Sequence, residues 1–135
     1  MQSAIKAVQF RIARPSDKLQ ELVHFYHQAL GLPVIGSFTN HDGYDGVMIG
    51  LPGAEYHLEF TQHRLGSACP APSKDNLLVL YFDEHKEYEN ALQRLTDRGY
   101  LPVAPENPYW EDKSTTFEDP DGWRIVLFRG VFRTT

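Results

Sequence analysis

Residues 116–128 read TFEDPDGWRIVLF, and this stretch predicts a β-hairpin. Its centre, DPDG at residues 119–122, has the composition of a tight turn, because proline fixes φ at the second position and glycine tolerates a positive φ at the last. The arms on either side are rich in β-branched and aromatic residues, which favour strands. In the second arm, alternate side chains point to opposite faces: Trp123, Ile125 and Leu127 to one, Arg124, Val126 and Phe128 to the other. Both faces are largely apolar, so we expect one to be covered and the other to line a second space.

Composition sets the broad class of the protein. With 135 residues, of which 41% are hydrophobic and 13% aromatic, the chain can bury the core of one domain. The net charge of -5 argues against a nucleic-acid or anionic-membrane surface. No apolar run reaches the length of a membrane span, and no basic-then-apolar signal follows Met1. We therefore expect a soluble cytoplasmic protein that binds neither nucleic acid nor membrane.

The first half of the chain predicts the order strand, helix, strand, strand, strand. Residues 5–12 alternate in polarity, which is typical of a half-buried strand. Ser16 is the predicted N-cap of a helix that ends at Gly31. The remaining segments are a strand, a polar turn-rich stretch and the two arms of a hairpin about Pro52-Gly53: residues 34–39, 40–46, 47–51 and 56–61.

The second half repeats this order. A linker at residues 64–76, rich in Gly, Ser and Pro, precedes a predicted strand at residues 77–82 and a helix at about residues 84–98. The motif GLPV at residues 31–34 returns as GYLPV at residues 99–103, with one insertion. Internal self-similarity of this kind determines architecture. The sequence therefore predicts one α+β domain of two βαβββ modules: residues 1–63 and 77–135, with the linker between them.

Alternation within the predicted strands separates two faces. One face is strongly apolar and is expected to lie under the helices: Val8, Phe10, Ile12, Tyr56, Leu58, Phe60, Leu78, Leu80, Phe82, Trp123, Ile125 and Leu127. The other face mixes polar and aromatic side chains: Ala7, Gln9, Arg11, His57, Glu59, Thr61, Leu77, Val79, Tyr81, Arg124, Val126 and Phe128. On the inner side of a curved sheet, such a mixture is what a ligand cavity requires.

The doubled module, the helix ending HFYHQALGLPV and the stretch FEDPDGWRIVLF resemble the vicinal oxygen chelate superfamily, which includes glyoxalase I, bleomycin-resistance proteins and extradiol dioxygenases. The resemblance covers essentially the whole chain and specifies the fold better than the function. It implies two βαβββ modules that form an open, cup-shaped mixed sheet with a ligand cleft. It also implies a homodimer, because small members commonly complete their clefts across a subunit interface.

The resemblance further implies where a metal would bind. In metal-dependent members, ligands come from the first and last strands of each module, which map here to Ala7, Glu59, Leu77 and Val126. Of these four, only Glu59 can hold a divalent ion, and one carboxylate is not a site. No cofactor is therefore predicted. A non-standard divalent-metal site stays open as an alternative, with His57 beside Glu59 and Tyr81 or Gln9 from the other wall.

Charged residues on the mixed face suggest a second kind of site. Arg11 or Arg124 could bind a carboxylate or phosphate through the fork of the guanidinium, and Glu59 could take a proton. The alternative is that one of the arginines pairs with Glu59 as structural charge compensation. Tyr109 and Trp110 could form an aromatic wall for the ligand, or a plug that fills the cup or lies at a dimer interface.

These observations lead to three functional hypotheses. The first is a metal-independent small-molecule binding protein, with the ligand held by Arg11, His57, Glu59, Tyr81, Tyr109, Trp110 and Arg124. The second is a lyase, isomerase or dioxygenase of the same superfamily with non-standard ligands, in which Glu59 is a metal ligand or a general base. The third is a partner-binding module whose cup is filled, with Leu77, Val126 and Phe128 against Trp110.

Overall fold

A computed structural model describes residues 5–51, 53–66 and 69–133. Within these ranges the chain has an α+β fold, in which two sheets lie on either side of a shared helical core. The predicted turn residue Pro52, like residues 1–4 and 134–135 at the ends of the two modules, lies outside the described residues. No helix in the described ranges is long and apolar enough to cross a membrane.

The first module contains a four-stranded sheet in the order β1-β4-β3-β2. Strand β1 runs parallel to β4, and the other neighbours are antiparallel. A helix, α1, continues into a π-helical turn before β2. The bounds in chain order are β1 Phe10–Pro15, α1 Leu19–Val23, the π-helical turn His24–Ala29, β2 Val34–His41, β3 Tyr44–Gly50 and β4 Tyr56–His63.

The second module contains a three-stranded sheet in the order β5-β7-β6, with β5 parallel to β7. The strand that the repeat predicts after the second helix is reduced to a single bridge between Val103 and Thr116. The module therefore keeps the βαβββ order with a minimal second strand. Its bounds are β5 Leu77–Phe82, α2 His85–Asp97, a 3-10 turn Pro108–Trp110, β6 Ser114–Glu118 and β7 Arg124–Arg129.

The first strand was predicted too early, at residues 5–12. Strand β1 pairs with β4 from Phe10, opposite Tyr56, to Pro15, opposite Thr61. Val8 precedes the strand, and Phe10 is 61% exposed, so neither lies under a helix as predicted. The error has a physical cause: alternating polarity shows that a segment can form a strand, but not where its partner strand ends.

The predicted N-cap at Ser16 is also wrong. Lys18 occupies the N-cap position of α1. Ser16 is fully buried two residues earlier, and its hydroxyl accepts a hydrogen bond from the Lys18 backbone N–H at 2.9 Å. Serine hydroxyls form such local bonds to the backbone in turns as readily as at helix caps. The sequence signal therefore marked the turn that leads into the helix.

The polar stretch at residues 40–46 is a tight hairpin and not a long turn. Strand β2 continues to His41 and β3 begins at Tyr44, so the connection is Asp42-Gly43. Both residues have positive φ, +52° and +86°, as a type I′ turn requires. An Asp-Gly pair is the usual sequence for this turn, because glycine has no Cβ and aspartate tolerates the left-handed region.

The DPDG turn forms as predicted and joins β6 to β7. One carboxylate oxygen of Asp119, Oδ1, accepts hydrogen bonds from the backbone N–H groups of Asp121 (2.9 Å) and Trp123 (3.0 Å). Gly122 has a φ of +89°, which accounts for the glycine at this position. The turn thus stabilises itself through the side chain of its own first residue.

The same aspartate ties the second module to the first. Its Oδ2 accepts hydrogen bonds from the Tyr26 hydroxyl (2.7 Å) and from Nη2 of Arg14. The Arg14 guanidinium lies 4.4 Å from the ring centroid of Trp123 and 4.9 Å from that of Phe60. Burial, and next the negative charge of Asp119, raise the pKa of Tyr26 well above its ordinary value. This buried network, which we call the module joint, is Arg14, Tyr26 and Asp119.

Candidate functional site

The face of the first sheet that points away from α1 brings three predicted site residues together. Arg11 lies beside His57 across the β1–β4 pairing, and Glu59 lies two residues further along β4. The Arg11 Nε–H donates to His57 Nε2 at 2.8 Å, and Nη1 donates to Glu59 Oε2 at 3.3 Å. His57 thus accepts the Arg11 N–H through Nε2. We call this surface the first outer face.

Arg11 keeps the capacity to bind a ligand. Its side chain is 45% exposed, whereas that of Glu59 is 14% exposed. A guanidinium has five N–H donors, and the bonds to His57 and Glu59 use two of them. The solvent side of Arg11 can therefore receive a carboxylate or phosphate while Glu59 holds the other side.

A cavity of about 490 Å³ adjoins Glu59 on the first outer face. The sequence analysis did not identify its aromatic walls, Phe38 on β2 and Tyr44 on β3. The Phe38 ring lies directly over Gly46, where a Cβ would collide with it. The Asp-Gly turn alone does not place them on one face, because a register shift between Phe38 and His41 is what brings Phe38 opposite Gly46. The other lining residues are His41, Asp42 and Thr61.

The remaining aromatic candidates meet on the corresponding face of the second sheet, which we call the second outer face. Phe128 is at the centre, with its ring centroid 5.4 Å from that of Tyr81 and 5.8 Å from that of Trp110. Tyr109 contacts Trp110 edge to face at 4.9 Å. The structure thus brings Tyr81, Tyr109 and Trp110 together, but on the second module and not beside Glu59.

Arg124 also belongs to the second outer face. Its Nε and Nη2 each lie 3.0 Å from Glu118 Oε2, and Nη1 donates to the carbonyl of Ala104 at 2.8 Å. Its side chain is 6% exposed. The ion-pair partner of Arg124 is therefore Glu118 on the neighbouring strand. Arg11, and not Arg124, is the arginine that pairs with Glu59.

Residues 104–113 cover the second outer face. The segment contacts Arg124 at one end of β7, through Ala104, and Phe128 at the other, through Trp110. Between these two contacts, Val126 is fully buried. Part of the filled-cup hypothesis thus describes this face, where Trp110 lies against Phe128. The first outer face has no such cover from the described residues.

The residues at the superfamily's metal positions do not fit a metal. Ala7 precedes β1, and the residue opposite Glu59 on that strand is Ala13. Leu77 and Val126 have hydrocarbon side chains, which cannot ligate a metal. His57 Nε2 already accepts the Arg11 N–H. In the described part of the chain, no group of three or more His, Cys, Asp or Glu side chains could hold a metal ion. We therefore derive no chemistry through a metal at this site.

Comparison with known proteins identifies the family. Residues 10–61 match the YycE-like N-terminal domain and residues 75–129 match the YycE-like C-terminal domain. The chain is 52% identical over 125 residues to the uncharacterized protein YycE of Bacillus subtilis (strain 168), covering 93% of this chain and 90% of that one.

Solved structures show the same fold. The 2.0 Å crystal structure of Bacillus subtilis YycE, described as a candidate glyoxalase/fosfomycin resistance protein, matches with a TM-score of 0.91 and 48% identity over 98% of this chain and 97% of that chain. TnmS3, an antibiotic binding protein from Streptomyces sp. CB03234, matches with a TM-score of 0.67 and 22% identity over 96% of this chain and 100% of that chain. The fosfomycin resistance protein FosX from Mesorhizobium loti matches with a TM-score of 0.67 and 13% identity over 98% of this chain and 96% of that chain. The chain therefore belongs to the YycE-like family, and it has the fold of the vicinal oxygen chelate superfamily.

Proposed function

We propose that this chain is a metal-independent, cytoplasmic small-molecule binding protein whose ligand lies on the first outer face. One observation carries the proposal: a partly exposed arginine, held by His57 and Glu59, stands beside an open cavity with aromatic walls. Such a combination of apolar walls and a few convergent polar groups is characteristic of small-molecule sites.

The cavity's aromatic walls together with Arg11, which lies next to the cavity and pairs with Glu59, favour a compact aromatic ligand with an anionic group. Phe38 and Tyr44 offer ring faces and edges for stacking. Arg11 offers a planar fork of N–H donors that matches a carboxylate or a phosphonate. Glu59 would orient Arg11 and reject a second negative charge close to its own carboxylate.

The proposal includes a homodimer that completes the cleft. The aromatic cluster of the second outer face would then approach the charged cluster of a second copy. Support comes from the large apolar side chains that the isolated chain exposes, among them Phe10, Tyr81 and Tyr109. Contiguous exposed apolar surface commonly marks a protein–protein contact. The seven predicted site residues would thereby contribute to one cleft, with Arg124 supporting it from beneath residues 104–113.

An enzymatic role is the second candidate, because Glu59 is a mostly buried carboxylate that lines the cavity. A carboxylate in that position could act as a general base on a bound ligand. Its pairing with Arg11 is then a positioning contact. The superfamily's metal-dependent chemistry would require ligands that the described residues do not assemble.

Metal analysis tests the proposal first. The protein, purified without chelator or affinity tag, is measured by elemental analysis before and after incubation with Ni, Zn, Mn and Fe salts. We expect no stoichiometric metal in either sample. Stoichiometric metal that disappears in Glu59→Gln and His57→Ala would overturn the proposal and establish a rearranged metal centre.

Calorimetric titration with phenylphosphonate then tests the ligand site, because this probe joins a ring to an anionic group. We expect binding to the wild type and at least a roughly tenfold loss of affinity in Arg11→Met, from the lost ionic hydrogen bonds. Arg98→Met, at an exposed arginine at the end of α2, is the matched control and should bind as the wild type does. Equal affinity in Arg11→Met would exclude the first outer face as the site.

A further inference from the structure

We propose a second binding site, an apolar cavity between the two sheets that takes a compact non-polar molecule of the alkylbenzene class. The cavity lies at the gap between the sheets, and its wall from β4 is on the side opposite the first outer face. Leu58 lines it, whereas its neighbours on β4, His57 and Glu59, point the other way. The inference is therefore independent of the function proposed for Arg11 and Glu59.

Both modules contribute walls to this cavity of about 340 Å³. Ile12, Ile49 and Leu58 come from the first sheet, and Leu78 and Leu80 come from the second. Pockets that bind small molecules commonly enclose about 300–1,000 Å³, so this cavity is at the compact end of that range. A single substituted ring fits this size better than a fused polycyclic molecule does.

The cavity follows the free edges of two strands. β1 and β5 are each the outermost strand of their sheet. Four consecutive residues of β5, 77–80, line the cavity, which places its long wall along the edge of that strand and not along one face. The described residues show no pairing between β1 and β5. The cavity is therefore a gap between the edge strands of the two modules.

The side chains that line the cavity suit a non-polar guest. Of these side chains, Tyr56 alone carries a polar atom. The other polar groups available there are the backbone N–H and C=O groups at the free edges of β1 and β5. Ile12 remains 39% exposed, and Leu58, Leu78 and Leu80 are half-buried. A non-polar guest would remove these side chains from water, and that transfer is the driving force for binding.

The experiment uses n-butylbenzene as the probe and the thermal unfolding midpoint as the readout. At about ten times its dissociation constant, the probe is expected to raise the midpoint of the wild type by roughly 3–6 °C. Leu78→Phe, which fills the cavity with a larger side chain, should abolish the rise. Leu101→Phe makes the same change at an exposed site outside the cavity and should keep the full rise. No rise in the wild type, or an equal rise in Leu78→Phe, would overturn the proposal.

A second measurement does not depend on how well a variant folds. Methyl NMR spectra of the wild type are recorded with and without n-butylbenzene. We expect shift changes at the methyl groups of Leu32, Leu58, Leu78 and Leu80, all of which line the cavity. Changes confined to methyl groups elsewhere, such as those of Leu65 and Leu101, would contradict the assignment.

Discussion

The two outer faces have the same ancestry in the repeat but differ in what covers them. On the first, Arg11 is partly exposed, and its ion pair with Glu59 is in contact with solvent. On the second, Arg124 is buried beneath residues 104–113, and its ion pair with Glu118 is supported by the carbonyl of Ala104. One module therefore exposes its Arg–Glu pair to solvent, and in the other module an Arg–Glu pair is a covered structural contact.

The length of one connection explains the difference. In the first module, Asp42-Gly43 joins the second strand to the third. In the second module, residues 104–113 separate the bridge at Val103 from β6. A two-residue turn is too short to fold back over the sheet, whereas a longer connection can do so. A loop insertion can thus close one binding face of a repeat and leave the other open.

The largest expected loss of stability comes from a substitution in the module joint, which holds the two modules together. Asp119→Ala would remove the carboxylate to which the buried Arg14 donates, leaving only the more distant Asp121 at 3.6 Å, and would remove the acceptor of the Tyr26 hydroxyl. Removing one partner of a buried ion pair costs about 3–5 kcal/mol. Urea unfolding followed by circular dichroism should show a loss of this size. Asp112→Ala, at an exposed aspartate, should change stability by less than about 0.5 kcal/mol. A loss in Asp119→Ala as small as that of this control would contradict the role of the joint.

Uncovering the second outer face should have the next largest effect. Trp110→Ala removes the ring that lies against Phe128 and should lower the free energy of unfolding by about 2–3 kcal/mol, less than for a fully buried tryptophan. The newly exposed apolar surface around Val126 should increase the fluorescence of a hydrophobic dye added to the folded protein. Tyr109→Ala, at the exposed neighbouring residue, should cause neither the loss of stability nor the increase in dye fluorescence. Unchanged dye fluorescence in Trp110→Ala would mean that another segment covers this face.

The smallest effect separates the two ion pairs directly. Glu118→Ala should cost about 2 kcal/mol, because it leaves the buried Arg124 guanidinium with a carbonyl as its remaining partner, although Glu118 itself is partly exposed. Glu59→Ala should cost at most about 1 kcal/mol, because Arg11 regains water when the pair is lost. Chemical denaturation of the two variants side by side measures the difference. Equal losses would refute the distinction between an open and a covered face.

Much of the fold was predictable because it depends on local patterns. The alternation in residues 77–82, the helical spacing in residues 84–98 and the DPDG turn are properties of short segments, and the structure confirms all three. The repeat then set the order of the elements. Strand ends were less predictable, since β1 begins where its pairing with β4 begins and not where alternation begins.

The residues of the candidate site could be assigned to strand faces from the sequence, but their arrangement could not. Alternation placed Arg11, His57 and Glu59 on the same kind of face, and the β1–β4 pairing is what brings them into contact. Arg124 lies on β7, the last strand of its module, whereas Arg11 lies on β1, the first strand of its own, and the partner of Arg124, Glu118, comes from the neighbouring strand β6. Which carboxylate an arginine meets depends on strand pairing, which the repeat alone did not specify.

By itself, the sequence determined the α+β class, the two βαβββ modules and the chemical character of each strand face, because these follow from periodicity and turn composition along the chain. The tertiary structure decided which face remains open, which arginine stays partly exposed, and that a cavity remains between the sheets. These properties arise from contacts between segments far apart in sequence, such as Arg14 with Asp119 and Trp110 with Phe128. Local propensity carries no information about such contacts until the chain has folded.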